Sequence, residues 1–228
     1  MMSDATLLLI RPRALSERSA NEVRRALPNA KIIVSPVLEI RAVAPPPDLT
    51  KFAGIIATSQ NVAQFLPDLN KTPAFVVGAR TADALRERGA QVEQVFETAD
   101  ALIAGLNTEG PLLHLRGKHT RGDVKSGLCL AGIETDDAVI YDQAPLPPTA
   151  QARAIIASNA RLVLPLYSPR SAALIAPYLR GVRGKIHAIA MSDAVADVWQ
   201  DKSGLTCDTL KAPLSRSMLQ SIVTNLRQ

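Results

Sequence analysis

An α/β fold built on parallel sheets is what this chain's pattern predicts, and three observations carry the prediction. Short apolar runs alternate with stretches of helical period along nearly the whole length. An apolar strand running into a hydroxyl-bearing turn and a helix occurs as Ile55-Ile56-Ala57-Thr58-Ser59-Gln60-Asn61-Val62-Ala63. It returns roughly 110 residues later, about one domain length, as Leu164-Pro165-Leu166-Tyr167-Ser168-Pro169-Arg170-Ser171-Ala172-Ala173. Each copy is followed by a second strand-to-helix corner, Phe75-Val76-Val77-Gly78-Ala79-Arg80-Thr81-Ala82 and Ala188-Ile189-Ala190-Met191-Ser192-Asp193-Ala194-Val195-Ala196.

Taken in order, Leu7–Ile10 and Lys31–Val34 read as strands around a helix from about Leu15 to Leu27. Strands at Phe52–Ala57, Ala74–Val77, Val92–Val95 and Leu112–Leu115 alternate with helices near Asn61, Thr81, Ala99 and Thr120. Leu162–Leu166, Ile186–Ala190 and a stretch near Thr206 read as the later strands. Their helices begin near Pro169, Asp193 and Ser215, with Ser215 suited to cap a helix carrying Met218, Leu219, Ile222 and Val223.

Two proline clusters, Pro45-Pro46-Pro47 and Pro145 with Pro147-Pro148, each follow a strand-like stretch, residues 37–43 and 138–142. The piece before the first cluster is a single βαβ unit, too small to bury a core alone. The piece after the second supplies the missing strands and helices. The expected organisation is therefore an inserted domain, residues 44–137, inside a discontinuous domain made of 1–36 and 146–228. Residues 37–43 and 138–145 would join them as a two-stranded antiparallel linker, with a ligand cleft between the domains. Two sequential domains are the rival arrangement.

At 228 residues and 47% hydrophobic content, the chain is long enough for two small cores, and at 4% aromatic content they must be aliphatic. The formal charge of +5 suits an anionic partner, yet the 26 Lys and Arg are scattered among 21 acids with no dense basic run. A small polyacid fits this at least as well as nucleic acid, for which stacking aromatics are lacking. Cys129 and Cys207 stand alone, in no metal-ligand spacing, so a reduced protein without a structural metal is expected. The apolar run Leu7–Ile10 is too short for a signal-peptide core or a membrane span, and the expected location is the cytoplasm.

No common cofactor signature is present. Gly117-Lys118-His119-Thr120 lacks both the first glycine and the hydroxyl residue of a phosphate loop. His114, His119 and His187 do not sit with acids at metal-ligand spacing and read as surface or satisfied core residues. What remains is a set of corners. Helix starts present unpaired N–H groups and the positive end of the helix dipole, which favour anions. Thr58 and Ser59, Thr81, Ser168 and Ser192 lie at these corners, where simple N-capping is the competing explanation. Arg11 follows the first strand at the sheet's carboxyl edge, the usual ligand edge of open α/β sheets. Arg116, Lys118 and Arg121 follow the Leu112–Leu115 strand and could meet carboxylates or simply solvent. Tyr141 stands on the proposed linker strand.

Over essentially its full length the chain resembles the uroporphyrinogen-III synthase family. The resemblance rests on Thr58-Ser59 with Asn61, on Val77-Gly78-Ala79-Arg80-Thr81-Ala82 followed by Gly89, and on Leu115-Arg116-Gly117. It continues through Val139-Ile140-Tyr141-Asp142, Ser168-Pro169 and Ala212-Pro213, with Arg11-Pro12 near the start. Ala194-Val195, where some members carry threonines, and Ala57, often Phe, are departures. The resemblance implies two flavodoxin-like domains with a two-stranded linker. It also implies a cofactor-free enzyme that closes the linear tetrapyrrole hydroxymethylbilane with loss of water and inversion of its last ring. The sequence carries no clear oligomeric signal, so a monomer is the default expectation. Tyr141 would then help protonate the departing hydroxyl. The corner residues Thr58, Ser59, Thr81, Ser168 and Ser192, with Arg11, Arg116 and Lys118, would hold the carboxylate arms. A non-catalytic two-domain protein binding a small polyacid is the alternative.

Overall fold

A computed structural model describes residues 5–119, 122–158, 160–182 and 184–228. The chain opens with β1 (Thr6–Leu9), α1 (Arg13–Ala26), β2 (Lys31–Val34) and β3 (Leu38–Ala42). Then come β4 (Gly54–Ala57), a 3-10 helix at Gln60–Phe65, β5 (Pro73–Val77), α2 (Ala79–Arg86) and β6 (Gln91–Phe96). α3 (Ala99–Gly105), β7 (Leu112–Gly117), α4 (Val124–Leu130) and β8 (Thr135–Pro145) follow. The remainder is α5 (Ala150–Ala157), β9 (Leu162–Leu166), α6 (Pro169–Ile175), β10 (Ile186–Ala190), α7 (Asp193–Ser203), β11 (Asp208–Thr209) and α8 (Ser215–Arg227). The fold is α/β with mostly parallel sheets, as the alternation of apolar runs and helical periods predicts.

These elements form two compact units, Met1–Glu39 with Pro145–Gln228, and Ile40–Ala144. In the first, the sheet order is β11-β10-β9-β1-β2, with every neighbouring pair parallel. Successive side chains of a strand point to opposite faces, so a strand covered on both sides must be apolar throughout. β1 obeys this. Leu7 and Leu9 pack with Ala20 and Val23 of α1 and Met218, Ile222 and Leu226 of α8. Leu8 and Ile10 belong to the other face with Ile156 of α5, Ile175 of α6 and Trp199 of α7.

In the second unit the order is β3-β8-β7-β4-β5-β6, and the neighbours from β8 through β6 are parallel. Ile55, Ala57, Leu113 and Leu115 pack with Val62, Ala82 and Leu85 on one face. Ile56 and Leu112 meet Leu102 of α3 and Val124 and Leu128 of α4 on the other. β3 is the outer neighbour of β8. Val43 donates its N–H to the Ile140 carbonyl at 3.1 Å, and Leu146 donates to the Val37 carbonyl at 2.8 Å.

Several local expectations shift for identifiable reasons. The strand expected from Phe52 starts at Gly54, because a short 3-10 helix at Leu49–Lys51, capped by Asp48, occupies the preceding residues. The helix expected near Asn61 is the 3-10 turn Gln60–Phe65, followed closely by Pro67, which cannot donate to a continuing helix. Thr120, the expected start of the next helix, lies outside the described residues; α4 begins at Val124, capped by Asp123. Ser215 is the first helical residue of α8 rather than its cap, which is Leu214, without a side-chain hydrogen bond. α5 was not anticipated; Thr149, accepting from Ala152 N–H, opens it directly after Pro147-Pro148. Among the described residues, no helix is long and apolar enough to cross a membrane.

Candidate functional site

An open parallel sheet leaves a crevice at the carboxyl ends of its strands wherever the chain reverses its direction of travel across the sheet. In the first unit this point lies between β1 and β9, since β1 leads outward to β2 and β9 to β10 and β11. In the second it lies between β4 and β7, since β4 leads to β5 and β6 and β7 to β8. Most of the residues singled out from the sequence cluster at these two points.

At the β1/β9 point, Arg11 follows β1 and Tyr167 and Ser168 follow β9. The Arg11 guanidinium lies over the Tyr167 ring, 4.0 Å from its centroid, a cation–π contact. The Arg11 carbonyl accepts from Ser16 Oγ at 2.9 Å. Burial pushes the Tyr167 phenol up, opposed by hydrogen bonding to Ser19 and the charge of Arg11. Ser168 caps α6: its Oγ accepts from Ser171 N–H at 3.2 Å and lies 3.0 Å from Ser171 Oγ. Ser192 caps α7 without a side-chain hydrogen bond, so its hydroxyl is not spent on the helix. Two corners that look alike in sequence thus differ in what their hydroxyls can still do.

At the β4/β7 point, Ser59 is a true cap, its Oγ accepting from Asn61 N–H at 3.3 Å. Thr58 turns elsewhere: its Oγ1 lies 3.5 Å from His114 Nε2. His114 stands on β7 opposite Ile56 of β4 and Asp137 of β8. Its Nδ1 lies 3.4 Å from Asp137 Oδ1, off hydrogen-bond alignment. Arg116 holds the other carboxylate oxygen, with Nε and Nη2 at 2.9 and 2.8 Å from Asp137 Oδ2, and Nη1 donates to the Gly117 carbonyl at 3.2 Å. Arg116 is therefore engaged with a protein carboxylate. His114 is 2% exposed, and that burial lowers its pKa despite the neighbouring Asp137.

On the opposite face, Tyr141 is buried and stacks on Phe65, ring centroids 6.0 Å apart at 16°. It lies across Gly117, where a Cβ would meet its ring at 2.5 Å, so only glycine leaves room for it. Lys118 is exposed and its backbone N–H donates to the Tyr141 carbonyl at 2.9 Å. Thr81 is buried in α2, its N–H donating to the Gly78 carbonyl at 3.1 Å, and it packs rather than facing solvent. Arg121 lies outside the described residues. Sequence reasoning set His114 aside and passed over Asp137, because their pairing with Thr58 runs across three strands and leaves no local spacing. Among the described residues, no group of three or more His, Cys, Asp or Glu is placed to hold a metal ion.

Comparison with known proteins agrees with this architecture. A uroporphyrinogen-III synthase from Chlorobaculum parvum is 29% identical over 189 residues, covering 73% of this chain and 76% of its own. The crystal structure of uroporphyrinogen-III synthetase from Helicobacter pylori superposes with a TM-score of 0.70 at 17% identity, covering 97% of this chain and 99% of that one. A mutant uroporphyrinogen III synthase from Thermus thermophilus gives 0.54 at 14% identity, covering 97% and 98%. At such identities these two structures speak for the fold alone. The family model for uroporphyrinogen-III synthase HemD matches residues 24–210, and the chain belongs to that family.

Proposed function

We propose that this chain closes hydroxymethylbilane to uroporphyrinogen III, with loss of water and inversion of the last ring, as a step of tetrapyrrole biosynthesis in the cytoplasm. The family match over residues 24–210 carries the reading. Its two cysteines are free thiols far apart in sequence, which suits a reducing compartment. In organisation, residues 44–137 form the inserted domain, the two chain ends form the other, and 37–43 with 138–145 link them. The flavodoxin-like strand plan, 2-1-3-4-5, fits the first unit's order; the second follows the doubly wound plan in the order 3-2-1-4-5, with β3 added beside its last strand.

Chemically, the hydroxymethyl C–O bond breaks with the ring nitrogen's lone pair assisting, and the oxygen leaves as water after taking a proton. The substituted carbon of the last ring then attacks the methylene carbon left on the first. Its old bond to the neighbouring bridge carbon breaks, and that bridge carbon rebonds at the free α-carbon of the last ring. The proton on that carbon is lost, which leaves the ring inverted. Departure of water is easy for such a substrate; the demanding part is holding a flexible chain so that the right carbon attacks. Orientation of this kind contributes up to about 7–11 kcal/mol. The backbone N–H groups at the Thr58, Ser59, Ser168 and Ser192 corners take the carboxylate arms, with Arg11 and Lys118 as charged partners. Tyr141 helps protonate the departing hydroxyl. Its support is the fixed setting between Gly117 and Phe65, which fits a group whose position matters.

The test is a coupled assay that generates hydroxymethylbilane in place, followed by oxidation and chromatographic separation of the isomers. Predominance of isomer III over a protein-free control supports the reading; isomer I alone, the product of spontaneous closure, refutes it. In the same assay, Tyr141→Phe is expected to slow turnover without abolishing it, and an unchanged rate removes Tyr141 from the mechanism.

A further inference from the structure

Thr58 just past the carboxyl end of β4, His114 and Arg116 on β7, and Asp137 near the amino end of β8 form a chain of contacts across the three strands. Arg116 makes two contacts to Asp137 Oδ2, at 2.9 and 2.8 Å. Asp137 Oδ1 faces His114 Nδ1 at 3.4 Å, and Thr58 Oγ1 faces His114 Nε2 at 3.5 Å. A neutral imidazole has one N–H and one lone pair, and here the surroundings choose between them. With the proton on Nε2, the Nδ1 lone pair would face a carboxylate oxygen in a buried site, acceptor against acceptor, an arrangement that costs free energy. With the proton on Nδ1, both ring nitrogens face a complementary group.

We propose that His114 is a positioning residue for Thr58: carrying its proton on Nδ1 toward Asp137, it takes the Thr58 O–H at Nε2 and turns the oxygen's lone pairs toward the substrate. The proposal rests on the reading of this chain as the synthase of hydroxymethylbilane and refines what the Thr58 corner recognises. A Thr58 hydroxyl that spends its proton on His114 is an acceptor outward. It therefore reads a donor on the tetrapyrrole, a ring N–H or the hydroxymethyl O–H, and not a carboxylate. Ser59, beside it, is the reverse: its oxygen already accepts from Asn61 N–H, leaving the O–H free to meet a carboxylate. Burial of His114 supports the neutral form, since it disfavours the imidazolium. The charged groups bearing on the ring are Asp137, Arg116 and, more distantly, Asp123.

Two measurements test this. Long-range proton–nitrogen NMR of the intact 15N-labelled protein at pH 7 reads the tautomer directly, the His114 signals being those missing from a His114→Gln variant. A neutral ring protonated on Nδ1 is expected; one protonated on Nε2, or an imidazolium, overturns the proposal. The isomer-III assay on Thr58→Val, His114→Gln and the double variant then tests the coupling. Each single change is expected to lower kcat/KM about tenfold, the worth of one hydrogen bond, and the double change no further than either alone. Thr58→Ser, which keeps the hydroxyl, should lose clearly less than Thr58→Val. Losses that multiply to about a hundredfold show that His114 does not act through Thr58 and overturn the proposal. If His114→Gln fails to fold, the Nδ1 or Nε2 result in the parent protein, with assignment by exclusion of the two other histidines, still decides it. A parent protein that yields no isomer III refutes the synthase reading instead, and the tautomer result separates that failure from this one.

Discussion

The two units place their sequence-predicted residues at the same topological position and equip it with opposite chemistry. In the first, the switch point carries a guanidinium laid on a phenol, Arg11 over Tyr167. In the second it carries a buried imidazole facing a carboxylate that a guanidinium holds, His114 beside Asp137, which Arg116 grips. The corners differ likewise. Ser59 and Ser168 spend their oxygens on helix caps, whereas Ser192 and Thr58 do not. A repeated strand-turn-helix pattern thus sets where a ligand can be met, while the residues packed beneath each corner set which side of a hydrogen bond it offers.

Breaking the comparison at its largest scale means removing a core. Trp199 is wholly buried in the first unit and donates its indole N–H to the Thr206 carbonyl at 3.3 Å. Trp199→Ala is expected to cost about 3–5 kcal/mol by denaturant unfolding. Hydrogen exchange should rise in α6, α7, β9 and β10 while residues 40–144 keep their protection. The counterpart in the second unit is Gly117→Ala, whose new methyl would collide with the Tyr141 ring. Overpacking of this kind costs about 1–3 kcal/mol, read as a lower Tm, and turnover should fall with it as the ring is displaced.

Acid and alkali should then separate the two switch points. His114 is held below the ordinary histidine value of 6.5 by burial, so below pH 6.5 the unfolded chain binds a proton that the folded one refuses. Stability falls as pH drops through that window, by up to about 1.4 kcal/mol per pH unit from this group, until the folded-state pKa is reached. Tyr167, raised above 10.0 by burial, behaves in mirror image: stability falls as pH rises beyond 10, where only the unfolded phenol ionises. Urea unfolding across pH checks both, with His114→Gln expected to flatten the acid limb alone. The smallest effect sharpens the pair of serines. Ser168→Ala loses a capping bond and should cost about 1 kcal/mol, while Ser192→Ala should cost only a few tenths and show itself in KM.

How much of this was legible follows from what local sequence can encode. β1, β2, β9 and β10 are apolar runs bounded by helical periods, and the strand and helix order follows from that alternation. Ser59 and Ser168 announce themselves because a cap reaches only two or three residues along the chain. The 3-10 turn at Gln60–Phe65 and the late start of α4 depend on Pro67 and Asp123, single residues that outweighed the apolar period. His114 and Asp137 were missed for a different reason. Each looks ordinary alone, and only parallel pairing of β7 with β8 sets them opposite one another. The clamp of Tyr141 by Gly117 also arises across that pair, through a shift in register between Arg116 and Gly117.

The chain enters the second unit after Glu39 and leaves it at Ala144, and the Leu146 N–H reaches the Val37 carbonyl at 2.8 Å. During synthesis the inner unit is therefore finished first. All of its strands have been delivered once the ribosome has passed Ala144, and it can collapse as one continuous stretch. The outer unit must wait. Its interior strand β1, made before the inner unit, has β2 on one side but meets β9 on the other only when residues 162–166 emerge. Replacing residues 40–144 with a short glycine linker would remove that delay, and the time the nascent outer unit stays open to protease would shorten accordingly.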